Sequence, residues 1–342
     1  MDNVCNDRNG HIASPLGLPG NRPDPWGFLG DLGSILGVFA IGVAPAGPVP
    51  RNVADHYLAW LGSGAHGSLD YAARNLAERR DPGQPRIQPR AAAVVSLALP
   101  YGGGALNEGI WRHVAAHARG ADYHPTVRRV LETVYRAVRT VFPGARGRCL
   151  VDTAPVMERW WAVACGLGFI GRHGGLVVPG RGTRVVLGEL IVAGVLAPAA
   201  GPMAGRFSGC GDCRACIDAC PTGALNKAGL VDCRLCLSFH SGENTAGTIP
   251  PEVAREMTSL FGCDLCTSAC PLEADDTCAL DPPPVPGPRD LDPASLLEMP
   301  GAGLARLIGD TALERAGVAA IRRNARLVCE RHRGCRPAGS VK

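Results

Sequence analysis

The chain has 342 residues, of which 46% are hydrophobic and 19% charged, with a formal net charge of +4. That length excludes a short disulfide-stapled scaffold and leaves room for two or three domains around a substantial core. No apolar run reaches the ~20 residues of a membrane span, and so mild a positive charge names no acidic partner by itself.

Residues 1–31 are rich in Gly, Pro and Asp and read as an irregular arm. The opening MDNVCNDRNGHI lacks the basic start and apolar stretch of a signal peptide, so a cytoplasmic location is expected. From Leu32, LGSILGVFAIGVAPAG reads as a helix-to-strand passage in a soluble core, broken by glycines. Strand-like runs then alternate with helical patterns to about residue 200. The strands are VVSLALPY, GRCLVDTA, GGLVVPG and VVLGELIVAGVL, and the longest helix candidates are TVRRVLETVYRAVRTVF and APVMERWWAVACGLG. This pattern predicts an α/β core over 32–200, a sheet covered by helices. GLGFIG, Gly166 to Gly171, matches a dinucleotide fingerprint, but a helical pattern precedes it and a strand follows. That order inverts the required strand–turn–helix context, so no nucleotide site is assigned there.

Residues 201–280 lose the periodicity and gain cysteines. Nine of the fifteen cysteines lie between Cys210 and Cys270. GCGDCRACIDACP spells C-x2-C-x2-C-x3-C-P, in which iron–sulfur clusters take three thiolates and the fourth serves a second cluster. FGCDLCTSACP supplies Cys263, Cys266 and Cys270, one short of a full second motif; VDCRLC between them offers Cys233 or Cys236. Crossing predicts Cys210, Cys213, Cys216 and Cys270 on one 4Fe–4S cluster. Cys220, Cys263, Cys266 and one of the intervening pair hold the other. Structural zinc is the rival, but zinc uses C-x2-C pairs as pairs and does not require this grammar. Cys5, Cys149, Cys165, Cys278, Cys329 and Cys335 have no partner spacing and read as ordinary thiols. Residues 281–342 begin with the proline-rich connector DPPPVPGPRDLDP and continue as a short helical segment. Arg315 to Lys342 carries eight Lys or Arg against one Glu, either a solvated tail or a phosphate contact.

Two adjacent clusters form a wire, and the preceding 200 residues are too many for a bare ferredoxin, so an acceptor site in the core is expected. The blocks GAHGSLDYAARN, VVSLALPY, ARGADYH, VDTAPVMERWWAVACGLGFIGRHGGLVV, LGELIV, the cysteine pattern and GDTALERAGVAAIRRNA occur in an order and spacing that resemble the cobalamin-dependent epoxyqueuosine reductases, from about Leu32 to Arg323. The resemblance implies an α+β protein: an α/β cobalamin-binding core, a ferredoxin-like two-cluster domain and a short C-terminal helical segment. It implies reduction of the epoxide of epoxyqueuosine in tRNA to queuosine, by a monomer fed by an external low-potential electron donor. It selects Cys236 as the remaining cluster ligand, since the family's C-I-S-Y aligns with CLSF, and leaves Cys233 as an extra thiol. It implies cobalt without a histidine ligand, because AAHARG lacks the Asp of the D-x-H-x-x-G signature.

By the same resemblance Asp152 is the proton donor to the leaving oxygen, and desolvation beside the corrin is expected to raise its pKa. An N-cap before TAPVMERWW is its bland alternative. Asp122, Tyr123, His124 and Arg159 correspond to substrate-pocket positions, and Arg74, Leu176, Val178 and Ser238 to segments enclosing the cofactor, together with Asp152. The chain departs from the family at Arg172 and His173, where lysine and asparagine are common, at Arg184, Val185 and Val186 before LGE, and at CLSFHS, whose His240 faces substrate or solvent. Two other readings stand beside this one: a small-molecule reductase with the same cofactors, as in the related reductive dehalogenases, and a non-catalytic electron carrier.

Overall fold

The structure is a computed structural model, and it describes residues 24–102, 108–199, 209–226, 230–245, 247–274 and 291–331. Cys5, Cys278 and Cys335, most of the N-terminal arm and of the proline-rich connector, and the last eleven residues of the basic tail lie outside the described residues.

Helix α1 (Phe28–Ile35) leads into β1 (Ala40–Pro45), the passage expected from the sequence. Helices α2 (Arg51–Gly62) and α3 (Leu76–Arg80) precede β2 (Ala93–Pro100). Then follow α4 (His124–Val141), β3 (Arg146–Leu150), α5 (Glu158–Ala164), the short β4 (Phe169–Ile170) and β5 (Leu176–Val177), and β6 (Val185–Ala193). Strands and helices alternate along the chain, yet the main sheet, in the order β1-β2-β6-β3, is antiparallel at every pairing.

Strand β2 is buried at all eight positions, which explains its unbroken apolar run: both faces of the sheet are covered. One face packs against α4 through Val127, Leu131, Val134 and Val138. These recur at helical spacing on a single stripe, and each contributes about 1.5–3 kcal/mol on burial. Gly188 of β6 permits this contact, since a Cβ there would meet Val127 at 2.7 Å and Leu131 at 3.0 Å. The opposite face takes Trp161, Ala162 and Val163 of α5. That helix is shorter than its sequence pattern predicts, because APVM is spent on a turn before Glu158.

Among the described residues the cysteine-rich part holds only short helices, α6 (Ala215–Asp218), α7 (Pro251–Ala254) and α8 (Leu265–Ser268), and a π-helical turn at Phe239–Glu243. Three C-terminal helices follow, α9 (Ser295–Glu298), α10 (Gly301–Ile308) and α11 (Gly317–Arg331). They share one hydrophobic cluster with the cysteine-rich loops, including Leu237, Met257, Leu260, Leu304, Leu313 and Ile321. The fully buried Asn324 donates from Nδ2 to Ser241 O at 2.9 Å and Leu260 O at 2.8 Å. Arg323 beside it donates to the carbonyls of His240, Asn244 and Gly247. The C-terminal segment thus fixes the backbone between Cys236 and Cys263. The sheet domain meets the same region through Arg172 Nη2, which donates to Gly211 O at 2.8 Å, and Thr183 N, which donates to Glu273 at 2.8 Å.

Candidate active site and cluster ligands

The cysteines of the two predicted sets crowd together, and Cys216 of the first also neighbours Cys266 of the second. Burial raises the Cys216 thiol, and the neighbouring Cys210, Cys270 and Cys213 raise it further. Cys270 is raised by burial and in turn feels Cys210 and Cys213. In the second set, burial and then Cys263, Cys236, Cys216 and Cys220 push the Cys266 thiol up to about 12. Cys263 is pushed up to about 11 by burial, with Cys236 and Cys220 among its neighbours, and Cys236 faces Cys220. Crowded, half-buried thiols that oppose one another's ionisation suit iron, whose charge reverses that repulsion. Backbone N–H groups of Ser238 and Phe239 bond to Cys236. Cys233 is buried, its N–H donating to Ala65 O, and its thiol is pushed up to about 12 by burial and by Cys236.

Between the sheet domain and the cysteine-rich region lies a cavity of about 260 Å³ that opens to solvent. Leu69, Phe239, Phe261 and Ala312 give it apolar walls, Gly242 and Gly262 present bare backbone, and Cys233, Cys236 and Ser238 line it from the cluster side. Gly262 adopts φ +69°, and a Cβ there would come within 2.5 Å of Ala115. Tyr123, His117, Arg159, Glu243 and Arg315 supply the polar lining. His117 packs edge-on to Tyr101 and Tyr123, and burial lowers its pKa, so the wall carries a neutral imidazole.

Asp152 sits one bond behind this lining. The turn it centres joins β3 to α5, with φ +52° at Asp152 and the Thr153 N–H returning to Val151 O at 2.5 Å. A non-glycine residue in the left-handed region is held there only by its surroundings. Here Glu158 Oε1 accepts the Asp152 N–H at 2.6 Å, His124 Nε2 lies 3.3 Å from Oδ2, and Arg315 Nη1 donates to the same oxygen at 3.3 Å. The other nitrogen of His124 is 2.6 Å from Asp122 Oδ1, which also accepts the His124 N–H, and Tyr123 stacks on the ring at 4.3 Å. Arg315 Nη2 continues to Glu243 at 3.2 Å.

Two expectations are corrected by this geometry. Asp152 is not a raised carboxyl: its hydrogen bond to His124, then the Arg315 charge, outweigh burial and hold it below the usual carboxylate range. The pKa of His124 is raised instead, chiefly by the bond to Asp152 and further by Asp122. Nor is Asp152 a helix cap, since α5 begins only at Glu158.

Of the cofactor positions, Ser238 lines the cavity, whereas Leu176 and Val178 are 3% and 4% exposed in the core with Leu150, Val156 and Trp161. Any role of that pair at a cofactor falls to the backbone. Arg74 is exposed and donates to Asp70 O at 3.4 Å, outside the lining. Arg159 lines the cavity. His240 is neither substrate-facing nor exposed. It is buried, with its ring between Arg234 O at 2.8 Å and the Asn244 amide at 3.0 Å. Sequence does not single out Glu158, Glu243 or Arg315 as site residues: Glu158 and Arg315 lie inside two of the quoted blocks, but nothing local announces their convergence.

Residues 209–273 match the family model described as a 4Fe-4S double cluster binding domain, and residues 79–153 match Epoxyqueuosine reductase QueG, DUF1730. The chain is 33% identical over 302 residues to an epoxyqueuosine reductase of Gloeobacter violaceus, covering 85% of this chain and 91% of the relative. It belongs to the epoxyqueuosine reductase family. A second epoxyqueuosine reductase, from Synechocystis, is 28% identical over 83% of this chain and 98% of its own length. A crystal structure of an epoxyqueuosine reductase with an epoxyqueuosine-modified tRNA-Tyr stem loop shares the fold, with a TM-score of 0.75 and 24% identity over 90% of this chain and 82% of that one. The chain is thus an oxidoreductase of the epoxyqueuosine reductase family with a double 4Fe–4S domain, and no described helix is long and apolar enough to cross a membrane.

Proposed function

We propose that this protein reduces epoxyqueuosine in tRNA to queuosine, with electrons delivered through two 4Fe–4S clusters to a cobalamin in the open cavity. The observation that carries the reading is the meeting of two functions in one cavity. Cys236 of the second thiol set forms one wall, while Tyr123 and Arg315, which hold the His124–Asp152 pair, form another.

The lining suits the chemistry of one face of such a cofactor: apolar walls from Leu69, Phe239 and Phe261, bare backbone at Gly242 and Gly262, and the predicted cluster ligand Cys236 beside them. Those residues and Ser238 would hold it, and when bound it supplies a low-valent cobalt that attacks or reduces an epoxide carbon. The overall change breaks two C–O bonds, forms C=C and releases the oxygen as water, consuming two electrons and two protons. His124 Nε2 holds the first proton against Asp152 Oδ2, and Asp122 fixes the other ring nitrogen. Arg315 and Arg159 place positive charge where the oxygen becomes anionic.

An open rather than sealed cavity favours a macromolecular substrate over a small apolar one. Helix α4 begins at His124 and presents Arg128, Arg129, Arg136 and Arg139 outward, a cationic track suited to RNA phosphates leading from the site. The protein acts as a cytoplasmic monomer supplied by an external low-potential donor. Expression in a bacterium whose own epoxyqueuosine reductase is deleted tests the reading. Queuosine reappears in its tRNA if the reading holds, and epoxyqueuosine persists if it does not.

A further inference from the structure

Removing an epoxide oxygen as water takes two protons, one as the first C–O bond opens and one as the resulting hydroxyl departs. The His124–Asp152 pair meets through one contact, His124 Nε2 to Asp152 Oδ2 at 3.3 Å, and can pass on one proton at a time. A second proton must therefore reach the pair within each turnover.

Glu158 lies directly behind it. This first residue of α5 accepts the Asp152 N–H at 2.6 Å, beneath a turn whose centre is held at φ +52°. His124 faces it from the start of α4 and Tyr123 from the residue before, Arg159 from its own helix, and Glu189 from the centre of β6. Glu189 is fully buried; its Oε1 accepts from Ser96 Oγ at 3.2 Å, and its Oε2 has no partner among the described residues.

We propose that Glu158 serves the reaction through Asp152 as a positioning residue. It holds the Asp152 turn in place and stores the proton that reloads the His124–Asp152 pair between the two C–O cleavages. This role presupposes the epoxide reduction described above. The two electrons come from the external donor through the clusters, and Glu158 regains its proton from water after each cycle. Burial, then the Asp152 charge, push the Glu158 carboxyl up to about 7, so it gives and takes a proton near neutrality. Burial and then the Glu158 charge raise Glu189 as well.

Glu158→Gln keeps an oxygen that accepts the Asp152 N–H but carries no proton; Glu158→Ala loses both. With saturating reductant, E158Q is expected to keep the KM for epoxyqueuosine tRNA while kcat falls about 100-fold or more at neutral pH. Its rate profile loses the limb near pH 7, and E158A also loses thermal stability. Wild-type kcat and pH profile in E158Q overturn the role. A second readout needs no turnover: NMR titration of the His124 ring in the wild-type protein shows a second inflection near pH 7, and in E158Q a single transition at lower pH, because a neighbouring negative charge is gone. Absence of the wild-type inflection overturns the proton store even where E158Q fails to fold. A wild-type protein that shows the inflection yet forms no queuosine removes the epoxide reading, and this role falls with it.

Discussion

Arg315 and Asp152, 163 residues apart, meet through a 3.3 Å hydrogen bond from Nη1 to Oδ2. The same guanidinium reaches Glu243 at 3.2 Å, so one side chain of the C-terminal segment joins the acid of the sheet domain to the turn that follows Cys236. Both ends are substantially exposed, the Arg315 side chain at 44% and Asp152 at 40%. Arg315→Ala is therefore expected to cost at most about 1 kcal/mol of stability. Its larger effect falls on Asp152, which loses a charge that depresses its pKa. The acid limb of the rate profile moves to higher pH in R315A, and Arg315→Lys restores part of that shift by charge alone. A pH–rate series on the three proteins checks this.

Cys233 and Cys236 separate cleanly by iron analysis. Cys236→Ser removes a ligand of the second set and lowers bound iron from about eight atoms to about four. Cys233→Ser is expected to leave both clusters and their electron paramagnetic resonance signals in place, because Cys233 is the extra thiol beside Cys236.

The His124–Asp152 pair makes stability depend on pH at both ends. His124 has a raised folded pKa, so its contribution is complete below its ordinary value near 6.5 and is lost as pH rises through the higher folded value. Asp152 has a lowered one, so its contribution is present above 3.8 and is lost as pH falls through the folded value. Urea unfolding between pH 5 and 9 is expected to show stability falling at the alkaline end in wild type, and a flatter profile in His124→Gln.

Asn324→Leu leaves the carbonyls of Ser241 and Leu260 without their shared donor, at about 1–3 kcal/mol each. Because those carbonyls flank the segments bearing Cys236 and Cys263, the variant loses iron from the second cluster first. Urea titration and iron content read the two effects separately.

What the sequence makes legible is what is local. The cysteine grammar is a matter of spacing, and the apolar run of β2 and the stripe on α4 follow from two-sided burial and a 3.6-residue period. The state of Asp152 is not legible, because it depends on His124 and on Arg315, 28 and 163 residues distant, and Glu158 reads as an ordinary first-turn acid until the turn at φ +52° brings the Asp152 N–H onto it. Leu176 and Val178 were read from their segment, but strand alternation and the packing of α5 turn them into the core. His240 looked available on a polar loop, and the π-helical turn buries it.

The most direct test is nucleoside analysis by mass spectrometry of tRNA carrying epoxyqueuosine. The tRNA is incubated without oxygen with cluster-reconstituted protein, cobalamin and a low-potential reductant, using wild type and Asp152→Asn in parallel. The predicted result is queuosine from wild type and a yield lower by about 100-fold or more from D152N, whose clusters remain intact. Epoxyqueuosine left unchanged by a wild-type protein that holds both clusters and the corrinoid would contradict the account.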